Sequence, residues 1–243
     1  MQMGTHPTEN LQKTLQKRKR SSKREWKKLV AEFQQPHAGR ATWQLVNTLV
    51  PIFTIWVSIY FLKDISLWLC IPPAILGGLF MVRAFIIFHD CGHGSFLKSK
   101  RANSIIGFIT GMLTFTPYRQ WSWEHARHHA TNGDLDRRGI GDIWTLTVEE
   151  YVSSSRRLQL SYRFIRNPII LFVFAPIVLF VILQRFPNSK AKKKERQSVH
   201  LMNATLAGWC IGMSMIYGFG IWLLMQFTMM AVAAGFGLWL FYV

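Results

Sequence analysis

The sequence is poor in acidic residues and in cysteine, and each shortage excludes a class of protein. It has 12 Asp and Glu against 29 Lys and Arg, a formal net charge of +17, and only 17% of its 243 residues are charged. A soluble domain usually carries about 25% charged residues. The three cysteines are an odd number without paired spacing. Neither a soluble domain nor a disulfide-stapled scaffold is therefore indicated.

The sequence has instead long apolar runs that are separated by basic loops. Half of the residues are hydrophobic, including 10 Trp and 18 Phe. The basic stretch 13–28 alone would suit phosphate contacts with a nucleic acid, but the rest of the chain is too apolar for a soluble nucleic-acid reader. Basic loops beside apolar spans are typical of the cytosolic side of membrane proteins, where they attract anionic headgroups. The pattern predicts an integral, multi-pass membrane protein with lipids and no nucleic acid as partners.

Four apolar runs are long enough to cross about 30 Å of hydrocarbon as helices. They cover residues about 43–62, 65–88, 201–218 and 221–243. The prediction is an all-α, polytopic transmembrane helical protein with about four spans, a re-entrant segment and a cytosolic cap that carries the histidine clusters. Residues 1–40 are expected to form a basic cytosolic tail.

Three shorter segments are not predicted to cross the membrane. Residues 168–183 are expected to enter it and return, turning near Pro176, because a crossing would put the basic run 185–196 outside. Residues 105–116 are too few to span and are expected to be interfacial or re-entrant. Residues 148–166 are interpreted as a basic amphipathic segment on the membrane surface.

Five of the eight histidines fall in two tight clusters. They are His89, His93, His125, His128 and His129. On a helix, spacings of i, i+3 and i+4 put the rings on one face, where they can converge on one metal ion. The first cluster departs from the zinc-protease pattern HExxH, since Asp90 replaces the glutamate. Five imidazoles exceed a closed tetrahedral zinc site and are too few to fill two irons, so the metal stays open on the residues alone.

The two clusters and their flanks resemble the first two histidine boxes of the membrane fatty acid desaturases. The residues that carry the resemblance are 89–96 (HDCGHGSF) and 123–136 (WEHARHHATNGDLD). The continuation, 137–145 and 147–151, is most similar to the bacterial and plant acyl-lipid branch that introduces Δ12 or ω-3 double bonds. The resemblance extends from about residue 40 to residue 243, which implies a desaturase domain over 41–243.

By this resemblance, His89, His93, His125, His128 and His129 are ligands of a non-haem di-iron centre on the cytosolic face. The family's chemistry implies O2 as co-substrate, an acyl-lipid or acyl-carrier substrate, and an electron donor such as ferredoxin or cytochrome b5. Candidates to orient the imidazoles through their other ring nitrogen are Asp90, Asp134, Asp136 and Asp142. Pairing of these carboxylates with Arg137 or Arg138 is the alternative.

The sequence departs from the family in one respect, which concerns the third histidine box. The family carries this box after the last span, whereas the one histidine after the second cluster is His200, for which an ordinary interfacial role is expected. The expectation is that this polypeptide alone holds an incomplete iron site and is inactive. Three alternatives stay open: a related di-iron membrane hydroxylase or ketolase, a non-enzymatic residual membrane fragment, and a bis-His haem electron carrier.

Overall fold

The computed structural model describes residues 35–138 and 144–242, and these residues form helices with no β-strand among them. The α-helices of six or more residues are α1 (Ala38–Leu62), α2 (Leu67–His93), α3 (Lys100–Leu113), α4 (Tyr118–Thr131), α5 (Val148–Ser153), α6 (Arg156–Ile165), α7 (Lys193–Tyr217) and α8 (Phe219–Tyr242). An irregular helical segment of π, α and 3₁₀ turns, Ile170–Arg185, lies between α6 and α7. The all-α prediction is confirmed.

Four of the helices are long and apolar enough to cross a membrane, namely α1, α2, α7 and α8. Each has an apolar helix of at least 22 residues, and at 1.5 Å per residue this length exceeds the hydrocarbon thickness. The chain is therefore a multi-pass membrane protein. Helices α2 and α7 extend beyond the predicted runs, because polar turns at His89–His93 and at Lys193–Val199 continue the helix where the apolar sequence stops.

Helix α2 lies at the centre and packs against α1, α3 and α8. Its contact with α8 depends on glycine: a Cβ atom on Gly78 would lie 2.6 Å from Cβ of Val232 and 2.8 Å from the carbonyl oxygen of Met229. Small residues of this kind let helix backbones approach each other closely in a membrane, where dispersion contacts drive association. The neighbouring core contains the fully buried Met225 and Met229.

Helices α3 and α4 form a hairpin beside the end of α2. With 14 residues, α3 is about 21 Å long and too short to span the bilayer; a re-entrant location for residues 105–116 stays a prediction. The Tyr118 ring packs against Gly107, where no Cβ would fit. The Tyr118 hydroxyl donates a 2.7 Å hydrogen bond to the carbonyl oxygen of Cys91 in α2. This bond ties the start of α4 to the end of α2.

The irregular segment Ile170–Arg185 bends by 59° from α6. The backbone stays helical through Pro176, so the reversal that we expected there does not occur, and the change of direction lies between Ile165 and Ile170. Pro176 lies inside this helical run, and π turns flank it on both sides. Whether this segment crosses or re-enters the membrane stays a prediction.

Candidate metal centre

The last turn of α2 presents the first two imidazoles. His89 and His93 are four residues apart, and their Nε2 atoms lie 3.3 Å from each other. The helix stops immediately afterwards because Gly94 adopts a left-handed conformation (φ 69°), in which its N–H caps the carbonyls of Asp90 and Cys91. The two rings therefore project from a rigid helix end rather than from a loop.

Helix α4 presents the second pair in the same way. His125 and His129 are also four residues apart, with their Nε2 atoms 3.0 Å from each other. The bond from Tyr118 to α2 sets the position of this helix, because Tyr118 lies two turns before His125 on α4. The Nε2 atom of His125 lies 2.9 Å from that of His89 and 3.1 Å from that of His93.

Four ring nitrogens thus meet within 4.8 Å of one another: those of His89, His93, His125 and His129. Each neutral imidazole carries one N–H and one lone pair. The Nε2 atom of His125 faces three other Nε2 atoms at 2.9–3.1 Å, and one hydrogen or one lone pair cannot satisfy all three. A cation among the four lone pairs resolves this conflict.

The spacing of the nitrogens fits a transition-metal ion. At metal–nitrogen bonds of about 2.1 Å, adjacent ligands lie about 3.0 Å apart in octahedral and about 3.4 Å apart in tetrahedral coordination. The triangle of His89, His93 and His125 has edges of 2.9, 3.1 and 3.3 Å. These values lie in the range of both geometries, so the three nitrogens could serve together as ligands of one ion.

The electrostatic surroundings keep His125 ready to bind a metal. Burial, followed by the neighbouring imidazoles, lowers the pKa of His125 to about 3. The ring is therefore neutral at ordinary pH, which is the protonation state that donates a lone pair to a metal.

Trp121 forms one wall of the histidine cluster. Its ring stacks on His125 with 4.3 Å between centroids and 18° between planes, and it packs on Phe88 at 4.7 Å. A Cβ atom on Gly92 would approach this ring to 2.9 Å, so glycine between the two histidines of α2 makes room for the tryptophan. Trp121 is thus in direct contact with a candidate ligand.

The predicted aspartates differ in their partners. The Oδ1 atom of Asp90 lies 3.3 Å from Nδ1 of His89, which fits a carboxylate that orients an imidazole and fixes its tautomer. Asp134 instead accepts a 2.6 Å bond from Nε of Arg137 and caps the N–H of Asp136. A role for Asp134 or Asp136 toward an imidazole stays a prediction, and Asp142 lies outside the described residues.

His128 and His200 lie outside the four-nitrogen group. The ring of His128 is 6.1 Å from that of His125 and 5.7 Å from that of His129, between centroids. His128 is thus next to the cluster without converging on the same point, and its role as a ligand stays a prediction.

A polar network on an adjacent face of α4 was missed by the sequence reasoning. Asn188 donates its backbone N–H to Oε1 of Gln120 and its side-chain amide to Oε1 of Glu124, both at 2.9 Å. The Ser198 hydroxyl of α7 accepts from the N–H of Gln120 at 3.2 Å. Burial raises the pKa of the Glu124 carboxyl, and the Asn188 bond opposes this shift. The i, i+4 spacing of Gln120 and Glu124 was the available signal.

Four membrane-crossing helices and a cluster of imidazoles at the end of one of them define a multi-pass membrane protein with a candidate nitrogen-ligated metal centre. The sequence pattern of the family described as fatty acid desaturase matches residues 66–243. The chain belongs to the fatty acid desaturase family, which is a family of oxidoreductases.

Curated relatives carry the same family name. A fatty acid desaturase of Bacillus subtilis is 44% identical over 89% of this chain and 61% of its own length. An sn-1 oleoyl-lipid 12-desaturase of Synechocystis sp. is 28% identical over 84% of this chain and 56% of its own. An sn-1 acyl-lipid omega-3 desaturase (ferredoxin) of Synechocystis sp. is 35% identical over 49% and 28%. The chain thus spans less than two thirds of the length of each of these relatives. No solved structure matches it.

Proposed function

We propose that this chain carries the metal-binding part of an acyl-lipid desaturase, which introduces a cis double bond into a fatty acyl chain with O2 as co-substrate. The observation that carries the proposal is the convergence of four Nε2 atoms from the two histidine boxes within 4.8 Å. Family membership supports iron as the metal. When bound, non-haem iron supplies the activation of O2 that removal of hydrogen from an unactivated methylene requires.

The protein's own part in this chemistry is to hold ligands and substrate. Asp90 keeps the Nδ1 hydrogen on His89, so that Nε2 faces the metal. Trp121 stacks on His125, and Phe88 packs on Trp121, so these two rings exclude water from one side of the cluster. Since all methylenes of an acyl chain are chemically alike, selectivity has to come from how the chain is positioned against the centre.

The relatives suggest the substrate class and the electron donor. Two of them are named for acyl-lipid desaturation at position 12 or ω-3, and one of these for ferredoxin. An acyl-lipid substrate and a small redox protein such as ferredoxin or cytochrome b5 are proposed on this ground. Docking of such an electron donor requires the histidine boxes to lie on the cytosolic face, which agrees with the basic loops near them.

The number of ligands limits what these 243 residues do alone. The four-nitrogen group fits one ion, and His128 is the candidate ligand for a second iron. Because each iron takes about five or six ligands, five histidines do not complete a di-iron site. We expect the 243-residue polypeptide to bind iron incompletely and not to desaturate lipids.

A chimera tests the function. Residues 1–243 are joined to the remaining C-terminal part of the Bacillus subtilis relative, and the fatty acids of expressing cells are analysed by gas chromatography. We expect a new unsaturated fatty acid with the chimera and none with the 243 residues alone. The matched control is the chimera with His125→Ala, in which the same polypeptide lacks the central imidazole.

The other outcomes are equally informative. A hydroxylated or ketolated product would show that the chain is part of a related oxygenase and not of a desaturase. Unsaturation that persists in the His125→Ala chimera would show that the cluster is not the reaction centre, and unsaturation by the 243 residues alone would contradict the ligand count.

A further inference from the structure

A groove of about 730 Å³ lies between α3, the first turn of α4 and the beginning of α7. It is separate from the four-nitrogen group, and none of its lining residues is a histidine. Its two walls are α3 and α7. Both helices begin near the histidine cluster, since α3 starts seven residues after His93 and α7 packs against α4.

The α3 wall changes from charged to apolar along the helix. Arg101 stands in the first turn, Ser104 one turn later, and Ile105 and Ile109 follow on the same face. The spacings i, i+3, i+4 and i+8 keep these side chains on one side of the helix. The two isoleucines are 52% and 44% exposed, so they offer free apolar surface about 6–12 Å below the charge.

The α7 wall repeats this order. Lys194 stands in the first turn, Gln197 and Ser198 lie one turn later, and Leu201 follows at i+7 with 58% exposure. Two neighbouring helices thus present the same sequence of layers, a cation, then hydroxyl or amide groups, then aliphatic side chains. A glycerophospholipid has the matching order of phosphate, glycerol esters and acyl chain.

The cations of this groove have no counterion among the residues that the structure describes. Arg101, Lys194 and the third cation, Arg119 in the first turn of α4, make no ion pair or side-chain hydrogen bond with any residue in 35–138 or 144–242. All three are exposed. Three unpaired cations around one groove repel one another, and an anion that they share relieves this repulsion.

We propose that this groove binds an anionic glycerophospholipid of the surrounding leaflet, with its phosphate at Arg101, Arg119 and Lys194 and an acyl chain along Ile105, Ile109 and Leu201. The site is distinct from the metal centre, and the proposal does not depend on the proposed catalytic function. A free phosphate ion uses only the exposed, solvent-screened cations, whose attraction in water is weak. A lipid also covers the aliphatic half of the groove, and the membrane holds it at high local concentration.

The test uses the full 243-residue chain, delipidated in a neutral detergent. Binding of dioleoyl phosphatidylglycerol and dioleoyl phosphatidylcholine is measured by native mass spectrometry, with inorganic phosphate and glycerol 3-phosphate as competitors. Each cation near an anionic lipid contributes a factor of about five, so we expect about a hundredfold preference for phosphatidylglycerol. Neither soluble anion should displace it at equal concentration.

Matched variants locate the site. The triple variant Arg101→Gln, Arg119→Gln, Lys194→Gln should lose the preference. The control, Arg156→Gln, Arg157→Gln, Lys190→Gln, removes the same charge from exposed positions outside the groove and should keep it. The charge-conserving variant Arg101→Lys, Arg119→Lys, Lys194→Arg should also keep the preference for phosphatidylglycerol. This variant separates loss of charge from loss of fold.

Three results would overturn the proposal. They are equal binding of the two lipids by the unmodified chain, a preference that survives in the groove variant, and displacement of the lipid by phosphate alone. The last result would assign the cations to a soluble anion.

Discussion

Two regions of α2 are tightly packed, but the atoms that meet in them differ in kind. In the middle of the helix, Gly77 and Gly78 meet Met229 and Val232 of α8, and every contact is between protein atoms. In the last turn, the imidazoles of His89 and His93 meet those of α4, with nitrogen facing nitrogen at 2.9–3.3 Å. The packing of the first region leaves no such conflict between like atoms, whereas we expect a cation to complete the second.

The largest effect of a single substitution is expected in the histidine cluster at the end of α2. His125 is the one histidine whose Nε2 lies within 3.1 Å of all three others. His125→Ala removes this shared ligand, and we expect iron(II) affinity to fall on the order of 10³-fold, more than the 10–100-fold cost of losing an orienting partner. That factor corresponds to about 4 kcal/mol. Anaerobic titration of the purified chain measures it.

Two other histidines serve as controls for this prediction. His200→Ala removes an imidazole outside the cluster and should leave the affinity unchanged. His128→Ala should have a smaller effect than His125→Ala, because its ring lies beside the four nitrogens. Chelation should lower the unfolding temperature of the unmodified chain and not that of His125→Ala. Equal losses of iron(II) affinity in His125→Ala and His200→Ala would refute the cluster as the metal site.

The positions of the histidines were predictable because helical periodicity alone determines them. The spacings of His89 with His93 and of His125 with His129 put each pair on one face, and the structure has both pairs facing each other. The sequence could not decide between His128 and His129, since i+3 and i+4 both lie on that face. The choice depends on how α4 is rotated, which is set by the Tyr118–Cys91 bond between residues 27 apart.

The four spans were predictable from their apolar lengths, and their ends were not. Polar turns extend α2 and α7, because a helix does not stop where the hydrocarbon stops. The break between α7 and α8 was expected near 218–220 and is at Gly218, whose φ of 80° suits glycine. The expected turn at Pro176 is absent, since the backbone on both sides of Pro176 stays helical with π turns.

The second prediction concerns the contact between the middle of α2 and α8. Gly78→Ala places a methyl group 2.8 Å from the Met229 carbonyl oxygen, and α2 and α8 must separate to accept it. Overpacking of this kind costs about 1–3 kcal/mol. We expect the free energy of unfolding in detergent to decrease by about that amount.

A glycine on α7 provides the matched control. A Cβ atom on Gly212 meets nothing within 4 Å, so Gly212→Ala should raise stability by about 0.5–1 kcal/mol through helix propensity. Because the α2–α8 contact needs no ion, chelation should lower the stability of Gly78→Ala by the same amount as that of the unmodified chain. A loss for Gly212→Ala equal to that for Gly78→Ala would argue against the close contact of α2 and α8.

The smallest effect is expected where a protein group only orients a ligand. Asp90→Asn keeps the shape of the side chain, but a neutral oxygen then faces Nδ1 of His89 in place of a carboxylate. We expect iron(II) affinity to fall about tenfold, the lower end of the range for such partners, while the stability of the metal-free chain stays the same. Asp64→Asn is the control, since Asp64 pairs with Lys63 in the loop at the opposite end of α2. Asp90→Asn could instead lower the stability of the metal-free chain and leave the iron affinity intact. Asp90 would then belong to the packed part of α2, and the boundary between the two regions of this helix would lie nearer His93.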